Sequence, residues 1–354
     1  MERLIELISA RINFFLVMSF LFFLSCQKYQ PDFCDRNFNR NEPLQVNRIA
    51  FGSCSSENKD QPILNQILNF SPELFIYLGD NVYCDTDDEN EFRDTYRRLS
   101  CKNEFQNLIQ NTYTLATWDD HDYGRNNSGI EFSFKEKAKE IFLEFWKEPL
   151  QSERYLHKGI YHAKVFGPEG RKVQIILLDC RTFRSPQIEV DDNYIQNYSS
   201  LATMLGSEQW FWLEQQMLVP ADLRIICSST QFGVEHNGWE SWSNYPNEIE
   251  KMFQLLRNTR AEHVIFLSGD VHYAELSKRE PSHLYPIYDF TSSGLTNIDD
   301  YLAQNKYRVG NGVREINAGL VDIDWNNRII NFNVIDINGV FKFTHQITFQ
   351  ELEF

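Results

Sequence analysis

Three apolar runs in this chain end abruptly in titratable side chains: LFIYLGDNVY (Leu74 to Tyr83), TLATWDDHDYG (Thr114 to Gly124) and VIFLSGDVHYAE (Val264 to Glu275). Core packing has no use for Asp80, Asp120 or Asp270 at those points, whereas ligands gathered at strand ends are how a rigid sheet presents a metal site to solvent. Asp80 and Tyr83 are three residues apart just after a strand-like run, so a turn can aim both at one ion. Asp119, Asp120, His121 and Asp122 are consecutive, and carboxylates so close raise each other's pKa unless a cation neutralises them. Asp270 and His272 face the same side if strand geometry continues for one more step. The segment FGSCSS closes a fourth run with the thiol of Cys54. Taken singly, Asp80 is a turn residue, Tyr83 a core or surface residue and Cys54 a buried thiol, while Asp119 or Asp122 only orients neighbours. Taken together they offer hard oxygens, an imidazole, a phenolate and a thiolate. That mixture suits a borderline or trivalent transition metal beside a harder ion better than a structural zinc.

The elements that must position these groups follow from the spacing of apolar residues. NRIAFGSC reads as a strand and turn, Leu74 to Leu78 as a strand, and VQIILLD and LRIICSS as fully apolar strands. Helices are expected over Gln61–Asn69, Glu89–Ile109, Phe132–Lys147 (halted by Pro149), Ser207–Met217 and Ile249–Thr259. After Gly294 the pattern alternates in GLVDIDW, RIINFNVID and KFTHQITF, with turns at Asn326-Asn327 and Ile337-Asn338-Gly339. An α/β body with an antiparallel tail suits a two-sheet core with helices outside. With 354 residues and no linker or repeat beyond Asn47, residues 48–354 read as one domain.

Charge and the first segment bound the setting. The 34 basic and 50 acidic side chains leave a net charge of −16, which disfavours loose binding to nucleic acid or anionic lipid, and no nucleic-acid-binding module is expected. A phosphate-bearing substrate remains admissible where bound cations reverse the sign locally. The apolar stretch Phe14 to Leu24 follows Arg3 and Arg11 and stops at Leu24-Ser25-Cys26, which are signal-peptide proportions. The tripeptide before Cys26 resembles the cleavage box of bacterial lipoproteins. Residues 1–25 are therefore expected to be a signal peptide, Cys26 the lipidated residue, and 26–47 a tether. The protein would then be exported and anchored to a membrane, in the periplasm or at the cell surface. Export permits disulfides; Cys84 and Cys101 are the pair to test, whereas Cys180 and Cys227 lie in apolar runs and read as buried thiols.

The segments FGSCS, YLGDNVY, ATWDDHDYGRNN, LLDCRTFRS, ESWSNYP and FLSGDVHYAE, in order from about Ile49 to about Thr296, resemble those of the PhoD-type alkaline phosphatases and phosphodiesterases. These belong to the wider metallophosphoesterases, which include the purple acid phosphatases. The resemblance implies an α/β fold, a four-layer αββα sandwich of two mixed β-sheets flanked by helices, with a metal cluster at the strand ends. It implies that Asp80 bridges two ions and that Tyr83 binds the more Lewis-acidic one, Fe(III), with Cys54 as a thiolate ligand. Asp120 takes the place of a metal-binding Asn, His121 that of a substrate-facing His, and Asp270 and His272 fill a Gly-His-x-His slot. Gln231, or His236 less well placed, stands where the superfamily adds a His; Asp119 is a further ligand candidate. Oxygen-rich ligation would favour Ca²⁺, Mn²⁺ or Mg²⁺ over Zn²⁺ as the second ion. The implied reaction is hydrolysis of phosphate mono- and diesters, a metal-bound hydroxide attacking phosphorus in line, on small-molecule, lipid or polymer substrates. His121 would protonate the leaving group, and Arg184, with Arg181 behind it, would clamp phosphate because a guanidinium matches two of its oxygens. Asn126 is a candidate for positioning substrate, and Trp242 and Tyr245 for walling the pocket. The alternative is a non-catalytic surface lipoprotein that uses the fold for binding; a two-carboxylate glycosidase would leave Cys54 and Tyr83 unexplained.

Overall fold

The structure, a computed structural model, describes residues 32–354; the expected signal peptide and Cys26 lie outside the described residues. The chain opens one sheet, builds a second, and returns to finish the first. β1 (Arg48–Gly52), β2 (Leu74–Leu78) and β3 (Tyr113–Thr117) pair in parallel. β4 (His162–Phe166) and β5 (Val173–Leu177) begin the second sheet, and a small hairpin follows as β6 (Ile188–Val190) and β7 (Asn193–Ile195). β8 (Leu223–Ser228), β9 (Val264–Ser268), β10 (Ala274–Arg279), β11 (Ile287–Ser292) and β12 (Arg308–Val313) complete it in the order β12-β10-β11-β9-β8-β5-β4. The tail strands β13 (Asn317–Asp324), β14 (Ile329–Asp336) and β15 (Phe341–Thr348) close the first sheet as β15-β14-β13-β1-β2-β3.

Strand alternation explains the layering. Ile49 and Phe51 of β1, with Leu74, Ile76 and Leu78 of β2, point into the core shared with the second sheet, where Phe51 meets Phe290 of β11 at 5.1 Å between ring centroids. The intervening Ala50, Phe75 and Tyr77 point the other way, into a cluster with the helices Pro62–Asn69, Glu89–Ser100, Asn103–Asn111 and Lys135–Phe145. Helices Gly206–Met217 and Pro246–Thr259 cover the second sheet through Leu213, Met217, Met252 and Phe253. Period-two side chains buried on both faces demand cover on both faces, and the four-layer arrangement follows. Among the described residues no helix is long and apolar enough to cross a membrane.

Several boundaries differ from expectation. The helix expected over Glu89–Ile109 is two helices, because Cys101 caps the first and Lys102 turns extended (ψ 132°) before the second. Cys101 is disulfide-bonded to Cys34, with Cα atoms 5.2 Å apart, and not to Cys84, which is a free thiol. That bond also corrects the tether: from Phe33 on, the segment is fastened to the domain. Phe33 packs edge-on to Phe145 at 5.4 Å, and Val46 is fully buried. The helix expected from Ile249 starts at Pro246, since proline is at ease in a first helical turn. The helix expected from Phe132 starts at Lys135, Phe132 packing instead against Tyr123 at 5.6 Å.

Candidate metal centre

The loops after β1, β2, β3 and β9 meet at one edge, and backbone geometry turns their side chains inward. Cys54, Asp80, Asp270 and His272 all adopt positive φ (59°, 50°, 79° and 61°). For non-glycine residues this costs about 1–2 kcal/mol each, and such strain gathers at functional sites. The expectation that strand geometry runs on through Asp270 and His272 therefore fails, although both still reach the site. Gly79 and Gly269 let the loops approach. Gly79 sits at φ +100°, and a Cβ there would lie 2.5 Å from Cβ of Asp119; a Cβ on Gly269 would lie 2.4 Å from Oγ of Ser53.

Two triads of ligand atoms result. Those of Cys54, Asp80 and His272 lie within 4.8 Å of one another, and so do those of Asp80, Asp120 and His121. Asp80 belongs to both. Its Oδ2 is 3.5 Å from the Cys54 Sγ and 3.5 Å from the Tyr83 hydroxyl, while its Oδ1 accepts from the His121 backbone N–H at 3.4 Å. Asp270 lines the same cavity, of about 260 Å³, with Asp80, Asp120, His121, Asn126 and His272. Its Oδ2 accepts from the Thr230 hydroxyl at 3.2 Å. Ser293 braces the cluster, 3.1 Å from the Cys54 Sγ and accepting from the His272 N–H at 2.9 Å.

The electrostatics ask for cations. Burial, then the neighbouring Asp120, pushes the Asp80 carboxyl well above the usual range, and burial with Asp119 and Glu240 does the same to Asp270. Burial pushes the Cys54 thiol up to about 12 and the Asp122 carboxyl to about 8. Asp120 is held low, because Arg181 and further partners outweigh its burial. Its Oδ1 is buried without a hydrogen-bond partner. Asp80, Asp119, Asp120, Asp122 and Glu240 are buried and Asp270 is half-buried among them, and Arg181 and Arg184 are buried guanidiniums that face this group. Buried carboxylates in excess over cations fit metal ions.

The remaining candidates divide. Asp119 is not free to bind an ion through Oδ1, which accepts from Arg181 Nε at 2.5 Å and Ser229 Oγ at 2.6 Å. Asp122 is a brace: it accepts from the Asp119 N–H (2.5 Å), the Asn81 side chain (2.5 Å) and the Asp80 N–H (3.2 Å). Gln231 turns away, donating to Glu275 at 2.8 Å and Thr291 at 3.0 Å, and His236 pairs with Asn244 at 3.3 Å. Arg184 is buried behind the cavity wall and does not line it: it is ion-paired to Glu240 at 3.3 Å and donates to the Asn127 carbonyl and the Tyr245 hydroxyl. Trp242 and Tyr245 are core residues. Asn126 does line the cavity.

Sequence reading missed Asp85, which pairs with the His121 Nδ1 at 2.7 Å and accepts from the Asn126 N–H at 3.2 Å. This leaves Nε2 as the ring's remaining polar atom. Burial would lower the His121 pKa, but the Asp85 hydrogen bond and the Asp120 charge outweigh it, and the imidazole sits above its ordinary value. Asp85 lies in an acidic run in which Asp88 caps the next helix; nothing local separates the two roles. Tyr194, Asn237, Trp239, Asp299 and Tyr301 also line the cavity and carry no sequence signal.

Comparison with known proteins agrees with this geometry. Three solved structures share the fold. One is titled as the structure of PhoD (TM-score 0.65, 16% identity, 89% of this chain and 70% of that one). The second is a dimetal phosphatase from Danio rerio (TM-score 0.55, 12% identity, 86% and 99%). The third is GAP50, the anchor in the inner membrane complex of Plasmodium (TM-score 0.53, 12% identity, 86% and 89%). Alkaline phosphatase D of Bacillus subtilis (strain 168) is 24% identical over 205 residues, 51% of this chain. The match spans only 34% of the length of that curated relative. A family model described as PhoD-like phosphatase matches residues 21–300, and the chain belongs to the PhoD-like phosphatase family.

Proposed function

We propose that this protein is a metal-dependent hydrolase of phosphate mono- and diesters, exported and lipid-anchored through Cys26. The observation that carries the reading is the pair of ligand triads sharing Asp80, which lines one cavity together with Asp120, His121 and His272. Cys54, Tyr83 and His272 would hold Fe(III) with Asp80, and Asp120 and Asp270 a second divalent ion, Ca, Mn, Mg or Zn. When bound, the ions supply a nucleophilic oxygen from water and Lewis acidity toward the phosphoryl oxygens. In the balanced reaction the water oxygen joins phosphorus, the ester P–O bond breaks, and the alcohol leaves with a proton. His121 is the residue placed to deliver that proton, its ring fixed by Asp85. Asn126 is the side chain offered to substrate at the cavity wall.

The test is elemental analysis of the native protein together with turnover of p-nitrophenyl phosphate and bis(p-nitrophenyl) phosphate. Inactivity on both after metal reconstitution would leave the fold as a binding module, and zinc as the only metal would remove the iron assignment. Two substitutions probe the iron ligands. Cys54→Ser should lower or change the bound metal, read as iron per chain, and Tyr83→Phe should remove any visible phenolate-to-iron band. Asp85→Asn should lower kcat by about 10- to 100-fold with metal content intact; unchanged turnover would show that His121 needs no orienting partner.

A further inference from the structure

The mouth of the cavity is built unlike its floor. Trp239 and Tyr301 stand there 57% and 55% exposed, their ring centroids 6.4 Å apart and their planes inclined at 45°. Tyr194 lines the same wall, its hydroxyl accepting from the Asn127 side chain at 2.6 Å. Asp299 joins them, exposed and without an ion-pair partner among the described residues; its Oδ1 accepts from the Tyr301 N–H at 2.8 Å. The Asp299 N–H donates to the carbonyl of His272 at 3.1 Å, which ties the rim to a residue of the metal triads. Among the described residues no lysine or arginine lines the cavity. Lys59, on the flank, donates to the Asn297 side chain and the Thr296 carbonyl.

We infer that this rim is a subsite for a cationic ester substituent, and that the preferred substrate is a phosphate ester of an amino alcohol with a quaternary or protonated nitrogen. The inference rests on the hydrolase reading for its reaction, in which water adds to phosphorus and the amino alcohol departs carrying the proton. Three observations point to a cation. The two ring centroids lie 6.4 Å apart, so one round cationic group can sit within about 6 Å of both, where each ring quadrupole attracts it. Asp299 adds a carboxylate beside the rings. An anionic substituent would meet Asp299 on a wall with no lysine or arginine among the described residues, on a chain of net charge −16.

The experiment uses the full chain loaded with metal and two probes, choline and its neutral isostere in which carbon replaces the quaternary nitrogen. Binding is followed by calorimetry, and kcat/KM is measured on the phosphate ester of each. Choline should bind about tenfold more tightly than the isostere, with the same ratio in kcat/KM. Trp239→Ala and Tyr301→Ala should each erase most of that ratio; both side chains are half exposed, so the fold should tolerate them. Equal binding of the two probes overturns the proposal, as does a choline preference that survives both substitutions. A choline preference in a chain inert toward every phosphoester sustains the subsite and removes the hydrolase reading. Turnover of p-nitrophenyl phosphate with equal rates on the two esters removes the subsite alone.

Discussion

Asp80→Ala should abolish turnover of both chromogenic esters, by at least about 10³-fold in kcat, and should strip metal from the protein. The reason is its place in both ligand triads: one oxygen faces Cys54 and Tyr83, the other the His121 backbone. Among the described residues no other side chain belongs to both triads, so no neighbour can take over the bridge. The same substitution has an opposite effect on the empty site. Asp80 is buried beside Asp119, Asp120 and Asp122, and removing one carboxylate relieves repulsion among the rest. The wild type should therefore lose thermal stability when a chelator removes its metal, because buried carboxylates lose their counter-charge. In the Asp80→Ala variant that response should flatten. Metal per chain by elemental analysis, kcat, and the chelator-induced shift in Tm check the three parts. Wild-type metal content with near-normal turnover would sink the bridging role.

What could be read from the sequence, and what could not, divides along physical lines. β2, β5, β8 and β9 are buried along their whole length, so even short apolar runs announced themselves. β10 and β12, reading AELSKR and RVGNGV, mix charge and glycine and gave no alternation to find. The candidate ligands were legible because an acid or thiol ending an apolar run conflicts with packing. Their aim was not, since it comes from left-handed backbone at Cys54, Asp80, Asp270 and His272 and not from strand pleat. The burial of Arg184 left no trace in the sequence because its partner Glu240 is distant along the chain. Charge pairing across the chain leaves no local mark. Asp85, Trp239 and Tyr301 were missed for the same reason: only the fold brings them to the cavity and its residues. The Cys34–Cys101 bond likewise joins residues 67 apart.

Arg181→Met should destabilise the fold by about 3–5 kcal/mol, the usual cost of leaving buried charge unpaired. Arg181 is fully buried. Its Nε donates to Asp119 at 2.5 Å, its Nη1 to both Glu240 oxygens at 2.8 and 2.9 Å, and its Nη2 lies 3.8 Å from Asp120. Burial opposes the guanidinium charge, yet Asp119, Glu240 and Asp120 outweigh it and hold the pKa above its ordinary value. Methionine fills much of the volume, so the loss reports charge more than cavity. Arg181→Lys retains a charge but lacks the planar fork, so its stability should fall between those of the wild type and Arg181→Met. The sign with pH follows from the carboxyls left behind. Without the guanidinium their folded pKa values rise above the unfolded ones, and such a group costs stability progressively as pH climbs from the unfolded to the folded value. The stability gap between Arg181→Met and the wild type should thus be widest at neutral pH and narrow toward acid. Urea midpoints measured across that range decide it. A constant gap would mean the loss is one of packing and not of charge in the Asp119–Arg181–Glu240 network.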